Sequence, residues 1–163
     1  MSIGVIYYSR DNSTKQAAEM LGEKLKAKIL ELKEKTSRKG IFGFLSGGFQ
    51  AVRGKSSKLV DTPWDEISQF ETLYLMTPVW AGKGTPAMNT FLENADLSGK
   101  KIVIVTIQAD PNFGGSDKTH EYLRTRAEDK NGTVEKCYAF HGAAPGKAAD
   151  VEYLRNQLQK IDN

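Results

Sequence analysis

The chain has 163 residues, 39% hydrophobic and 26% charged, with 23 Lys and Arg against 20 Asp and Glu for a formal net charge of +3. That length and balance fit one globular domain over residues 1–163 with a real core, and the mild charge gives no reason to expect nucleic acid as a partner. Cys137 is the only cysteine and there are two histidines, so an internal disulfide framework, a cysteine-based zinc site and a His-rich metal centre are all unexpected.

The first element is the β-rich run 3–8, Ile-Gly-Val-Ile-Tyr-Tyr, which reads as a buried strand. Over 14–26 the pattern turns helical, with Ala17, Ala18, Leu21 and Leu25 on one face. Residues 28–32 form a weaker strand candidate and 73–76 a third strand. The stretch from Pro86 to Asn94 reads as a helix, with Thr85 as N-cap and Pro86 at its first position. Residues 102–105, Ile-Val-Ile-Val, are the clearest strand. A helix follows over 119–130, stopped by Asn131-Gly132, then a strand over 134–140. Val151, Leu154, Leu158 and Ile161 put one apolar stripe on a C-terminal helix.

Strand and helix thus alternate about five times, and the central strands are apolar on both faces. Helices must then cover both faces of a parallel sheet, which is an α/β doubly wound fold. Such folds bind ligands beyond the carboxyl ends of their strands. The loops to inspect are therefore 9–14, 77–85, 108–118 and 141–149. One stretch stands outside this pattern. Residues 36–58 are rich in glycine and carry Phe42, Phe44 and Phe49 among cations. They read as a short amphipathic helix closing the sheet edge, a flap over a ligand, or a docking surface. The basic residues around 24–39 and 53–58 form a solvated face or a patch for an acidic partner. No apolar run approaches the roughly 20 residues of a membrane span, and no signal peptide opens the chain, so a cytoplasmic location is expected.

The loop after the first strand gathers Ser9, Arg10, Asp11, Asn12, Ser13 and Thr14. Ser13-x-x-Gln16 matches a capping box. Beyond that, hydroxyls, a cation and a helix N-terminus together suit an anion, and Asn12 tolerates the left-handed backbone of a tight turn. No G-x-x-x-x-G-K-[ST] or G-x-G-x-x-G is present, which argues against a nucleoside triphosphatase and a dinucleotide fingerprint. In the second loop, Thr77, Pro78, Val79, Trp80, Ala81 and Gly82 place an aromatic beside small residues, and Trp80 can stack on a planar heterocycle or anchor the core. His120 and His141 read as ordinary polar positions and Cys137 as a buried, inert strand residue. No catalytic constellation is evident.

On "YYSRDNST", "FETLYLMTPVWAGKGTPAMNTFL" and "LSGKKIVIVT", the chain resembles the flavodoxin family over nearly its whole length. The resemblance implies a flavodoxin-like, doubly wound five-stranded parallel sheet with helices on both faces, binding FMN. By the resemblance, residues 9–14 hold the phosphate and Thr77 to Gly82 line the isoalloxazine ring. Gln108, Ala109, Asp110, Gly114 and Gly115, in the loop after the fourth strand, close over its other side. Phe113 is a second candidate for stacking. The family's phosphate loop reads Ser/Thr-x-Thr-Gly-Asn-Thr, where this chain has Asp11, Asn12 and Ser13 at the third to fifth positions. A carboxylate beside a phosphate costs about 1 kcal/mol or more. The function implied is electron transfer through FMN with redox partner proteins. The alternative is an FMN-dependent NAD(P)H:quinone-type oxidoreductase acting on a small quinone-like acceptor, as monomer or homodimer. A response-regulator receiver would need an acidic pair after the first strand and an Asp after the third, which the chain lacks.

Overall fold

The computed structural model describes residues 2–35, 55–144, 147 and 149–161. Of the glycine- and phenylalanine-rich stretch, residues 36–54 lie outside the described residues, and the roles expected of Phe42, Phe44 and Phe49 lie outside them too.

The elements in chain order are β1 (Ile3–Tyr7), α1 (Ser13–Leu25), β2 (Lys28–Glu31), a 3-10 helix (Pro63–Gln69), β3 (Thr72–Pro78), α2 (Pro86–Asn94), β4 (Lys101–Gln108), α3 (Ser116–Glu128), β5 (Thr133–His141) and α4 (Val151–Leu158). The strands form one sheet in the order β2-β1-β3-β4-β5, every neighbouring pair parallel. The chain goes from β1 outward to β2, then back across to β3. The order therefore reverses between β1 and β3, and a crevice opens there beyond the strand ends.

Both faces of the sheet are covered, which is why its central strands β1, β3 and β4 read as nearly unbroken apolar runs. Val5, Tyr7, Tyr74, Met76, Val103 and Val105 pack with Ala17, Ala18, Leu21, Leu154 and Leu158, under α1 and α4. Their strand neighbours Ile6, Leu73, Leu75, Ile102 and Ile104 pack with Met88, Phe91, Leu92, Leu123 and Ala127, under α2 and α3. The two-residue period of a strand divides each run between the two cores.

Local chemistry sets several element ends. Thr85 caps α2, its hydroxyl accepting from the Met88 N–H at 3.4 Å, with Pro86 at the first helical position. Helix α3 begins at Ser116 rather than at 119, because Gly115 at φ 83° turns the chain into the helix and Asp117 favours its positive end. It ends where Asn131 takes φ 61° and the Gly132 N–H reaches back to the Ala127 carbonyl at 3.1 Å. The 3-10 helix has no counterpart among the expected elements; its short, tight turns carry no 3.6-residue period. The C-terminal stripe is also shorter than expected. Leu154 and Leu158 are buried, Ile161 is buried just past the helix, and Val151, the first helical residue, is 47% exposed.

Gly132 is closely surrounded. A Cβ there would stand 2.5 Å from Ile102 Cδ1, 3.1 Å from the Ala127 carbonyl oxygen and 3.2 Å from Leu97 Cβ. One of these neighbours is backbone and cannot swing aside. Gly132→Ala is therefore expected to lower stability by about 1–3 kcal/mol, read from urea unfolding midpoints, as overpacking does.

Candidate functional site

Four strand-end loops meet in one cleft. The loop after β1 brings Ser9, Arg10, Asp11, Ser13 and Thr14. The loop after β3 brings Pro78, Val79 and Trp80. The end of β4 brings Ile107, Gln108 and Ala109, and the turn after β5 brings Gly142 and Ala143. Topology explains the convergence: the carboxyl ends of parallel strands lie at one edge of their sheet.

The first loop is built around Asn12. Its φ of 73° turns the chain directly into α1, whose first backbone bond runs from the Gln16 N–H to the Asn12 carbonyl at 2.8 Å. No side chain caps this end. The expected Ser13-x-x-Gln16 capping box is not formed, because the left-handed Asn12 makes Ser13 the first helical residue. The Ser13 hydroxyl instead accepts from the Ala143 N–H at 3.2 Å, tying the first loop to the turn after β5. The first-turn amides of α1 keep the unpaired donors and partial positive charge of a helix start. Beside them, the Ser9 hydroxyl oxygen is buried and has no hydrogen-bond partner among the described residues. A buried, unsatisfied polar atom costs about 1–3 kcal/mol, so it marks a position where a ligand oxygen would be welcome.

Asp11 does not present a bare carboxylate to this pocket. Arg10 donates to it and pairs with it, the Arg10 side chain 11% exposed and that of Asp11 35%. The Arg10 guanidinium carbon also lies 5.9 Å from the centre of the Trp80 ring, within cation–π range. Trp80 is itself held by Tyr8, ring centres 5.8 Å apart and planes at 88°. The Tyr8 hydroxyl donates to Glu34 Oε2 at 2.9 Å. The aromatic wall is thus braced from behind, edge to face.

Several residues expected in the cleft do not line it. Thr77 is fully buried beneath, its hydroxyl 3.2 Å from that of Thr85. Ala81 at φ 53° and Gly82 at φ 68° form the turn that returns the chain from Trp80, with the Lys83 N–H donating to the Trp80 carbonyl at 3.0 Å. Asp110 folds back on its own loop and accepts from the Asn112 and Gly114 N–H groups at 2.9 and 3.0 Å. Those two amides hold its carboxyl below the ordinary carboxylate range. Gly114 and Gly115 complete that loop, and Phe113, at φ 57°, is a turn residue that does not line the cleft. Asn12 does not line the cleft; its left-handed backbone turns the chain into α1.

Sequence reasoning marked the loop 141–149 for inspection but singled out neither Gly142 nor Ala143, and it did not name Ile107. Their residue types carry no chemical signal; only strand order predicts that the turn after β5 comes back to the cleft. Gly142 is needed for that approach, since a Cβ there would stand 2.8 Å from Ile107 Cγ2 and 3.1 Å from Ser13 Cβ. Among the other titratable groups, burial holds the His120 imidazole below the ordinary histidine range. It pushes the Cys137 thiol up, against the nearby Arg124. Among the described residues, no group of three or more His, Cys, Asp or Glu side chains could hold a metal ion.

No protein-family model matches the chain, and neither does any curated protein. Solved structures do. A Bacteroides uniformis protein described as a flavoprotein superposes with a TM-score of 0.72 at 17% identity, over 97% of this chain and 97% of that one. A flavoprotein from Lactobacillus acidophilus, solved in complex with FMN, gives 0.67 at 15% identity over 85% and 92%. The oxidised flavodoxin 2 of Bacillus cereus gives 0.58 at 17% over 98% and 99%. The chain has the flavodoxin-like fold. In this flavodoxin-like chain the cleft lies at the β1/β3 reversal, the position that the topology favours for a ligand.

The Ser13 to Ala143 bond supplies a test of how the cleft is closed. Ser13→Ala is expected to cost about 0.5–1.5 kcal/mol of stability and to speed hydrogen exchange at the Ala143 amide while leaving exchange in β3 unchanged.

Proposed function

We propose that the chain binds FMN in this cleft and acts in electron transfer with redox partner proteins. The observation that carries the proposal is the buried, unpartnered Ser9 hydroxyl beside the uncapped start of α1. A phosphate suits that pair of features. It would accept from Ser9, from the hydroxyl of Thr14 and from the first amides of the helix, and it would meet the positive end of the helix dipole. Arg10 would contribute charge once drawn from Asp11. Trp80, Val79 and Pro78 offer an apolar, partly aromatic wall for a flat ring system, and Gln108 and Ala109 face it from the end of β4. Asn12, Thr77, Ala81, Gly82, Asp110, Gly114 and Gly115 support that site by shaping its loops.

When bound, FMN supplies redox chemistry that no amino-acid side chain here provides. The chain's own contribution is position and polarity. Trp80, braced by Tyr8, sets the plane in which a ring can lie. The Arg10–Asp11 pair keeps the cleft close to neutral until an anion enters. Ala109 at the mouth is exposed, so one side of the site is open to an approaching partner or small acceptor. We place the protein in the cytoplasm. The lone Cys137 forms no internal disulfide, in keeping with a reducing compartment, and no helix among the described residues is long and apolar enough to cross a membrane.

Absorption spectra and quenching of FMN fluorescence test the assignment. The purified protein is expected to carry or take up one flavin and to bind FMN more tightly than riboflavin. Ser9→Ala should lose about 1.5–3 kcal/mol of FMN affinity, the worth of a hydrogen bond to a charged group, and narrow the gap to riboflavin. Trp80→Ala should weaken both flavins alike, by about 0.5–1.5 kcal/mol. Asp11→Asn removes a carboxylate charge from the phosphate end of the cleft and should tighten FMN by roughly 1 kcal/mol. A colourless protein that leaves FMN fluorescence unquenched would overturn the assignment. Steady-state oxidation of NADPH with a quinone, above that of free FMN, would make the protein a reductase rather than a carrier.

A further inference from the structure

Behind the wall of the cleft runs a line of hydrogen bonds that the cofactor site does not use. His120, half-buried on α3, places Nε2 2.9 Å from the Thr106 hydroxyl on β4. Thr106 is fully buried, and its hydroxyl can donate to the Ser116 oxygen at 3.4 Å or to the Tyr138 carbonyl, also at 3.4 Å. Ser116, 1% exposed, donates to Gln108 Oε1 at 2.9 Å. Gln108 lines the cleft, and its Nε2 donates to the carbonyls of Asp110 and Gly114 at 3.4 Å each. Two carbonyls on the Nε2 side and a hydroxyl donor on the other fix which way this amide points.

The direction of the line depends on the imidazole. With its hydrogen on Nδ1 the neutral ring accepts at Nε2, so the single Thr106 hydrogen goes to His120 and the link from Thr106 to Ser116 is unmade. A charged ring has no acceptor. Its Nε2–H donates to Thr106, which releases the Thr106 hydrogen to Ser116 or the Tyr138 carbonyl, and along the Ser116 arm Ser116 donates to Gln108. All donors then point the same way, and such chains polarise their members. We propose that His120 is a positioning residue whose protonation orders the Thr106–Ser116–Gln108 line, strengthening Gln108 as a donor to the 110–114 loop and changing how tightly the cleft holds its flavin. The second half of this statement rests on the FMN reading of the cleft; the first does not.

The groups around the ring decide when this happens. From its own helix come Asp117, which favours the charged ring, and Arg124, which opposes it. From β5 come Cys137, bonded by Arg124 at 3.5 Å, and the Tyr138 carbonyl, which favours the charged ring. From β4 comes the Thr106 hydroxyl. Burial outweighs the favourable contributions and holds the ring below its ordinary value of 6.5. The line is therefore open at neutral pH and closes on acidification below that value.

The full-length protein without added ligand, isotope-labelled and followed by NMR, tests the relay. With two histidines in the chain, His141→Gln assigns the ring signals. The Gln108 side-chain amide signals are expected to shift with the same midpoint as His120. That shift is expected to vanish in Thr106→Val and in Ser116→Ala while His120 still titrates; either variant suffices if the other does not fold. Gln108 signals that stay constant through the His120 midpoint, or that still titrate in both variants, overturn the proposal. Affinity for riboflavin, which lacks the phosphate that itself titrates near pH ~6, measured on either side of the midpoint should differ at least about twofold in the wild type and be level in Thr106→Val. A titrating Gln108 with level wild-type affinity overturns the link to the ligand. No FMN binding at any pH defeats the cofactor reading instead, and the amide signals still decide the relay.

Discussion

Five strands running in one direction place every following loop at the same edge of the sheet. From that constraint comes almost everything else about this molecule. It demands helices on both faces, since each strand must return to the starting edge. It makes the central strands β1, β3 and β4 apolar along their middles, because neither of their faces meets water, while the edge strands keep exposed polar residues such as Lys28, Glu135 and Lys136. It brings together residues as distant as Ser13 and Ala143, whose bond of 3.2 Å joins the first loop to the last. The cleft is a consequence of strand direction before it is a consequence of any side chain.

Within that geometry, charge is handled locally. Asp11 looks ill-suited to an anion site until its partner is seen. Arg10 is largely buried, sits against Trp80 and takes up the carboxylate. The pair leaves the Ser9 hydroxyl and the helix amides as the uncommitted donors of the loop. Asp110 shows the opposite arrangement. Its carboxylate is consumed by two amides of its own loop, so a residue that reads as a polar wall becomes a loop brace.

How much is legible in the sequence depends on the range of the forces involved. Helix α2 is legible to the residue because Thr85 and Pro86 act on their immediate neighbours. The strands are legible because two-sided burial leaves unbroken β-branched runs such as 102–105. The left-handed turn at Asn12 is foreseeable from its side chain, but its consequence is not: it moves the helix start and undoes the capping box at Ser13. Gly142 and Ala143 lie in a loop that strand order marks, 141–149, but their residue types do not single them out, because they matter through contacts to residues far away in the chain. Thr77 is buried with its hydroxyl toward Thr85 while its neighbour Pro78 lines the cleft, an alternation that the loop's sequence does not display.

The central claim is that one cleft, at the carboxyl ends of β1, β3 and β4, holds a flavin by its phosphate and its ring. Amide NMR spectra recorded during addition of FMN test it most directly. The account predicts shifts concentrated at residues 9–14, 78–80, 107–109 and 142–143, with riboflavin reproducing those at 78–80 and not those at 9–14. Shifts centred instead on the groove between α1 and α4, at Met20, Lys24 and Arg155, or no shifts at all, would contradict it.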